Sequence, residues 1–148
     1  MHHDNLGDLI FEQLTSAQFP LAKHFYKSAR YSSKIGREDE VYVLRQSSES
    51  NAIIASVRLI KLDRFLILRS MVVSQNKRQE GIGTILLNHL CARLSSTKCW
   101  CFPFEHLYQF YSDNGFECIP PEACPVEIRQ KYQQYLSQGR KLLLMRAI

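Results

Sequence analysis

Two glycines, Gly81 and Gly83, lie where a strand-like run gives way to a helix-like one. Residues 64–73 are rich in β-branched and aromatic side chains, whereas the apolar residues after the glycines recur at helical spacing. A helix N-terminus offers unpaired N–H groups and partial positive charge, and a glycine has no Cβ to block a phosphate. The pattern therefore predicts a phosphate-binding turn, with a plain glycine turn as the alternative.

Two common phosphate motifs do not fit these residues. A P-loop needs Gly, four residues and then Gly-Lys-Ser/Thr, which is absent, and a dinucleotide fingerprint needs a small residue where Leu86 stands. What remains is Arg-x-x-Gly-x-Gly, formed by Arg78, Gly81 and Gly83. This pattern resembles motif A of the GNAT family of N-acetyltransferases, whose loop holds the pyrophosphate of coenzyme A.

A second segment, residues 107–116, supports the resemblance. On its own it predicts an amphipathic helix that presents Phe110 and Tyr111 on one face and ends at Asn114 and Gly115. A tyrosine on such a face commonly packs its ring in the core. The same residues resemble the family's aromatic-Tyr-x-x-x-Gly-Phe segment, and the resemblance implies that Tyr111 is the general acid that protonates the departing coenzyme A thiolate.

The resemblance also implies how acetyl-CoA, the expected co-substrate, is bound. Backbone groups of residues 71–73 would hold the pantetheine and acetyl part, with one N–H polarising the thioester carbonyl, and the backbone of residues 79–84 would hold the pyrophosphate. We expect no metal. The expected acetyl-CoA contacts are Met71, Val72, Val73, Arg78, Gln79, Glu80, Gly81, Ile82, Gly83 and Thr84.

The general base is harder to assign. Many family members carry a glutamate on the strand that corresponds to residues 98–102 and an asparagine early in the next helix, whereas this chain has Cys99 and Phe104 near those places. Glu105 and His106 are candidates, although the helix dipole also explains a helix-opening glutamate and a histidine there is usually on the surface. Bulk water and the substrate are the alternatives, because an amine attacks only after it loses a proton.

The order of elements predicts an α+β (mixed α/β) domain over residues 1–148, with an antiparallel meander before alternating strands and helices. Predicted strands are 8–14, 40–45, 52–62, 64–73, 98–102, one after Gly115, and 141–146, and predicted helices are 17–31, one from Gly81, one around Tyr111, and 125–137. This order resembles the GNAT-like acyl-CoA N-acyltransferase fold. The resemblance implies a mostly antiparallel sheet that splays between the strand ending at Val73 and the strand starting at Lys98.

The composition indicates the cellular environment in which this domain is expected. The chain has 148 residues, 45% of them hydrophobic, and five cysteines scattered in apolar settings. An odd number of such cysteines is typical of reduced thiols, and Cys99 and Cys101 should face the same way on their strand as ordinary buried thiols. No apolar stretch approaches the roughly 20 residues that a membrane span needs, nor does an apolar signal segment open the sequence. We therefore expect a soluble cytoplasmic protein without membrane partners.

The net charge of +5 suits an anionic ligand, a nucleic acid or an acidic protein. Lys77 and Arg78 flank the predicted phosphate turn, whereas the other basic residues are dispersed among acidic and polar ones. No basic groove with interleaved aromatic residues is evident, which makes a nucleic-acid partner unlikely.

Together these patterns predict an N-acetyltransferase that moves an acetyl group from acetyl-CoA to a primary amine of a small molecule or protein by direct attack in a ternary complex. The alternatives are a catalytically weak coenzyme A binding or sensing domain, an interaction module with a vacant site, and a nucleic-acid binder. Residues 17–36 should flank the acceptor, with Glu40, Glu49 and Asp63 as candidates for an acidic mouth. For a homodimer, the C-terminal helix and strand are the expected interface.

Overall fold

The structure is a computed structural model that describes residues 7–94 and 99–148. One seven-stranded sheet has the order β1-β2-β3-β4-β5-β7-β6 and is antiparallel except where β4 pairs with β5. The strands are β1 Leu9–Leu14, β2 Glu40–Gln46, β3 Ala52–Leu62, β4 Phe65–Val73, β5 Cys99–Cys101, β6 Phe116–Cys118 and β7 Met145–Ala147. The helices are α1 Phe19–Ser28, α2 Ile82–Leu94, α3 Tyr108–Asp113 and α4 Val126–Ser137.

This arrangement confirms the predicted mixed α+β class and mostly antiparallel sheet, with one correction at the C-terminus. The last strand was predicted over residues 141–146, but its ladder runs over Met145–Ala147. The reason is that the preceding residues are tied to a loop instead, since Leu142 bridges Phe104 and the Leu143 N–H donates to the Pro103 carbonyl at 2.8 Å. The predicted strand start at Lys98 lies outside the described residues.

Side-chain alternation along the strands assigns the helices to the two faces of the sheet. Leu68 packs in one core cluster with the buried residues of α2 and α3, whereas Ile67 packs in another with Ile128 of α4. Val41 and Val43 of β2 likewise bury the apolar side of α1 on the α4 face. Because successive strand residues point to opposite faces, both faces of the central strands are apolar. Among the described residues, no helix is long and apolar enough to cross a membrane.

The alternation of β4 is reset by a bulge at Ser70. Leu68 faces the α2 side, yet so do Met71 and Val73, while Val72 faces α1. Even-numbered residues face α2 up to position 68, whereas odd-numbered residues face it from position 71 onwards. Ser70 has a left-handed backbone with φ of 57°, and the β3–β4 register shifts across the same level. One extra residue in a strand produces this geometry and bends the strand.

Beyond the bulge, β4 diverges from β5. The parallel pairing covers only Leu66–Leu68 against Cys99–Cys101, so the end of β4 is paired on its β3 side only. After β5 the chain enters a short 3₁₀ turn, Glu105–Leu107, and then α3. The sheet is thus open between the end of β4 and α3.

Candidate active site

A left-handed turn connects β4 to α2. After a 3₁₀ turn at Gln75–Lys77, both Gln79 (φ 67°) and Gly81 (φ 78°) adopt left-handed backbone conformations. Backbone of this kind can turn successive N–H groups to one side and form a concave anion site. A Cβ built on Gly81 would find no heavy atom within 4 Å, so the space above the turn is open. The first N–H groups of α2 lie beside it and have no acceptor within the helix.

Two basic residues hold this turn in place. The Arg78 Nε donates to the Val73 carbonyl oxygen at 3.1 Å and ties the turn to the end of β4. The Lys77 Nζ lies 2.7 Å from a Glu49 carboxylate oxygen, and this hydrogen bond raises the pKa of Lys77. Lys77 therefore keeps its positive charge beside the open turn at neutral pH.

Gly83 has a different role from Gly81. It lies inside the first turn of α2, and a Cβ added there would meet the Phe110 ring at 3.4 Å and the Val73 side chain at 3.6 Å. Gly83 therefore allows α2 to approach α3 closely, in addition to leaving its N–H free. The sequence pattern predicted both glycines to clear space for a phosphate, and only the contacts separate the two functions.

A cavity of about 560 Å³ runs from the turn to α3. It is lined by every expected acetyl-CoA residue except Glu80, together with Tyr111 from the second motif. The residues that share this cavity are Tyr31, Met71, Val72, Val73, Lys77, Arg78, Gln79, Gly81, Ile82, Gly83, Thr84, Leu107, Phe110 and Tyr111. Its volume lies within the roughly 300–1,000 Å³ of small-molecule sites.

Tyr111 is a buried residue in the wall of this cavity. Its ring meets Phe110 and Phe116 edge-on, with centroids 5.0 and 5.5 Å away. Burial raises the pKa of Tyr111 well above its usual value, and the nearby Cys101 thiol and Tyr31 hydroxyl act in the same direction. The hydroxyl is therefore protonated at neutral pH, which is the form that donates a hydrogen bond or a proton.

A second, smaller cavity of about 160 Å³ opens on the other side of Tyr111. Four residues line both cavities and so form the boundary between them: Tyr31, Met71, Leu107 and Tyr111. The remaining wall of the small cavity includes two arginines, Arg69 and Arg140, among mostly apolar residues from β5 and the loop after it. The two cavities give the site one compartment at the phosphate turn and one beside Arg69 and Arg140.

The candidate bases lie apart from both compartments. Glu105 and His106 are exposed in the turn before α3, and neither lines a cavity. The His106 ring instead stacks on Phe104 with centroids 6.0 Å apart. Cys99 is in the core, where burial raises its pKa to about 12, so its thiol is not an activated nucleophile.

The proposed acidic mouth does not form around the cavities. Glu49 is paired with Lys77, Glu40 accepts a hydrogen bond from the Tyr42 hydroxyl, and Asp63 lies in the exposed β3–β4 turn. None of the three lines either cavity. Within residues 7–94 and 99–148, no group of three or more His, Cys, Asp or Glu side chains is arranged to hold a metal ion.

The sequence did not indicate that Tyr31, Arg69 and Arg140 line the site. Tyr31 follows α1 and reaches both cavities from the region predicted to flank the acceptor, but no motif marks it. Arg69 lies within a strand-like run and Arg140 in a polar C-terminal stretch, so each reads as an ordinary surface charge. Only the fold brings the two arginines together.

A family model described as an acetyltransferase (GNAT) domain matches residues 37–118, more than half of the chain. No curated protein matches the sequence.

Solved structures with a similar fold share little sequence. N-acetylglutamate synthase from Neisseria gonorrhoeae, complexed with coenzyme A and N-acetyl-glutamate, matches with a TM-score of 0.71 and 15% identity over 94% of this chain and 34% of its own. This chain thus spans about a third of that enzyme. The ribosomal-protein-S18-alanine N-acetyltransferase from Escherichia coli has a TM-score of 0.67 and 17% identity over 94% and 92%. Tetrahymena GCN5 matches with a TM-score of 0.63 and 16% identity over 93% of this chain and 94% of its own.

Proposed function

Because the chain belongs to the GNAT family of acetyltransferases, we propose that it transfers the acetyl group of acetyl-CoA to a primary amine by direct attack in a ternary complex. The acetyltransferase class follows from the family itself, and coenzyme A occurs in the similar N-acetylglutamate synthase structure. The single observation that supports this chemistry best is the 560 Å³ cavity, because it joins the phosphate turn, the free end of β4 and Tyr111.

We assign the binding of acetyl-CoA to backbone groups of the large cavity. Five residues of the turn and the start of α2 line this cavity, and their N–H groups would hold the pyrophosphate, with Lys77 and Arg78 contributing positive charge: Gln79, Gly81, Ile82, Gly83 and Thr84. The last residues of β4, Met71–Val73, lack a strand partner on the β5 side and would pair with the pantetheine arm. Glu80 does not line the cavity and is therefore left out of this assignment.

The reaction needs few side chains in this proposal. The neutral amine nitrogen forms a bond to the thioester carbonyl carbon, the carbon–sulfur bond breaks, and the amine gives up a proton. A backbone N–H at the end of β4 stabilises the negative charge on the carbonyl oxygen. Tyr111 then supplies a proton to the sulfur that departs as the coenzyme A thiol, and the tyrosinate regains a proton from solvent.

Among the described residues that line the two cavities, none is Asp, Glu or His, so the proton from the amine has no carboxylate or imidazole acceptor there. Water or the substrate is therefore our preferred base, ahead of Glu105 and His106. The same observation favours one second candidate function: a domain that binds coenzyme A as a sensor and transfers acetyl groups weakly or not at all.

In this proposal, the acceptor enters through the small cavity. The expected location of the protein is the cytoplasm. Similar structures include enzymes named for amines of two kinds, an amino acid in N-acetylglutamate synthase and a protein alanine in the ribosomal-protein-S18 enzyme. Both a small-molecule amine and a protein amine thus remain acceptor classes to test, and a homodimer through α4 and β7 stays a prediction.

The test is calorimetric titration with acetyl-CoA, coenzyme A and ATP at about 50 and 200 mM salt. Both coenzyme A species should bind and ATP should not. The variant Gly81→Asp should lose binding, because it places a carboxylate in the phosphate turn. Gly139→Asp is the matched control, since Gly139 has a similar φ of 86° and open space but lies away from the turn.

Equal binding in Gly81→Asp and the native chain would contradict the turn assignment. Absence of coenzyme A binding would contradict the proposed function as a whole. Binding without thiol release against any primary amine would favour the sensor instead.

A further inference from the structure

Three basic side chains gather around the Tyr135 ring of α4, and we call them the Tyr135 cations. Arg69 from β4 lies 4.6 Å from the ring centroid, Arg140 5.0 Å and Lys131 5.5 Å. The Arg69 guanidinium also donates a hydrogen bond to the Tyr135 hydroxyl. Three like charges on one ring repel each other, and contact with the ring face offsets only part of this repulsion.

The Tyr135 cations lack acidic partners in the described part of the chain. The ion pairs formed there use other basic residues, namely Arg45, Arg58, Lys61, Lys77 and Arg146. A cluster of uncompensated positive charge beside a cavity attracts an anion. This charge is separate from Lys77 and Arg78, which flank the phosphate turn in the other cavity.

The two arginines of this cluster line the small cavity, on the far side of Tyr111 from the phosphate turn. Their support is rigid, because Phe102 of the β5 side packs edge-on against Tyr135 at 5.7 Å, and the neighbouring Tyr132 hydroxyl donates to the Leu142 carbonyl at 2.8 Å. The Arg69 guanidinium, which is hydrogen-bonded to Tyr135, therefore loses little freedom on binding a ligand.

We propose that the acceptor is a small primary amine that also carries an oxyanion, a carboxylate or a phosphate, which Arg69 and Arg140 bind while the amine points towards Tyr111. This inference rests on the proposed acetyl transfer. Arginine matches both oxyanions through paired hydrogen bonds. The 160 Å³ volume is below the range of drug-sized sites and favours a small molecule. Polyamines are disfavoured, because their second positive charge would lie beside the arginines.

The test is acetyl transfer measured by thiol release with matched pairs of amines. Each of several amino acids is compared with its amide, such as L-phenylalanine with L-phenylalaninamide, and O-phosphoethanolamine with ethanolamine, alongside spermidine. The anionic member of a pair should have a kcat/KM at least about tenfold higher. Preference for amino acids identifies the carboxylate, and preference for O-phosphoethanolamine identifies the phosphate.

Two variants assign the preference to the arginines. Arg69→Gln and Arg140→Gln should each raise KM for the anionic amine by about tenfold, so that the preference over its neutral partner is lost, while KM for acetyl-CoA stays the same. Arg140 is exposed, so its variant keeps the fold. Arg64→Gln is the control, since Arg64 also lies over an aromatic ring, that of Phe65, but lines neither cavity.

The possible outcomes separate this inference from the function on which it rests. Faster transfer to neutral amines or spermidine would overturn the anionic acceptor and leave the acetyltransferase intact, as would variants that retain the anionic preference. Acetyl-CoA binding with no transfer to any amine of the panel would also overturn it, and would favour the sensor. No acetyl-CoA binding would overturn the proposed function first.

Discussion

The Tyr111 hydroxyl lies at the boundary between the two cavities and keeps its proton because burial opposes its ionisation. In the proposed mechanism, so high a pKa makes this hydroxyl a poor acid towards water but a good hydrogen-bond donor to the thiolate that develops as coenzyme A departs. Its role therefore depends on position more than on acidity, and the edge-on contacts with Phe110 and Phe116 set that position.

Removal of the hydroxyl tests this role. Tyr111→Phe keeps the ring packing, so acetyl-CoA should bind with unchanged affinity while kcat falls by about 100-fold or more. In the native enzyme, kcat should rise as the amine loses its proton and should not fall again until well above pH 10, about the usual tyrosine pKa, because the raised pKa keeps Tyr111 protonated. Steady-state rates across this pH range give both results.

A different pH profile would count against Tyr111. If a falling limb near about pH 8–9 disappeared in Tyr111→Phe, the tyrosine would ionise in that range and would not be held neutral by burial. Native kcat in the variant would remove Tyr111 from the chemistry without affecting the binding of coenzyme A.

Sequence reasoning reached some of these residues and not others, for a physical reason. Arg78, Gly81 and Tyr111 belong to short local patterns that imply a turn or a helix by themselves, so they were visible before any fold was known. Tyr31 and Arg140 acquire their place only when distant segments pack together. Spacing along the chain carries no information about such contacts.

At the scale of elements, the bulge in β4 decides which groups face the cavities. Without the extra residue at Ser70, Met71 and Val73 would point to the α1 face instead of towards α2. The bulge is held from β3 and α1. The Arg58 Nε donates to the Ser70 hydroxyl oxygen at 3.2 Å, and the Tyr26 hydroxyl donates to the Ser70 carbonyl at 2.7 Å.

Arg58 depends in turn on Asp39. Their ion pair spans 2.6 Å, and the two side chains are only 7% and 9% exposed. Asp39→Asn would leave a buried charge without its partner, so we expect a loss of about 3 kcal/mol in the free energy of unfolding, measured by urea denaturation. Glu117→Gln, which removes an exposed ion pair with Arg146 (48% and 31% exposed), should cost less than about 1 kcal/mol.

Equal losses in the two variants would show that burial does not set the energy of the Asp39 pair.

The bulge itself was not predictable, because residues 64–73 read as one continuous apolar strand. Nothing in the sequence pattern of such a run indicates that its serine adopts a left-handed backbone conformation. The ends of the other strands, in contrast, follow from the alternation of apolar residues and from turn residues. The sequence likewise did not indicate that β7 is shorter than predicted. Leu142 and Leu143, which were expected in this strand, instead form backbone bonds to the 103–104 loop.

At the scale of the whole molecule, ionisable groups buried in the core link stability to pH. Burial raises the pKa of Cys99 to about 12 and that of Cys101 well above its usual value, and the buried Tyr26 and Tyr111 shift in the same direction. A thiol in the unfolded chain loses its proton above about pH 8.5, whereas the folded chain retains it. Deprotonation therefore stabilises the unfolded state as the pH rises.

The free energy of unfolding should consequently be steady below about pH 8 and fall above it, by about 1.4 kcal/mol per pH unit for each buried thiol, with the tyrosines adding to the slope above about pH 10. Urea denaturation at a series of alkaline pH values measures the slope. Cys99→Ala should reduce it by the contribution of one thiol, whereas Cys118→Ala should leave it unchanged, because Cys118 is exposed. An unchanged slope in Cys99→Ala would mean that the Cys99 thiol of the native chain ionises in the folded protein. Such ionisation requires solvent access to the core between β5 and α2, which the packing of Cys99 excludes.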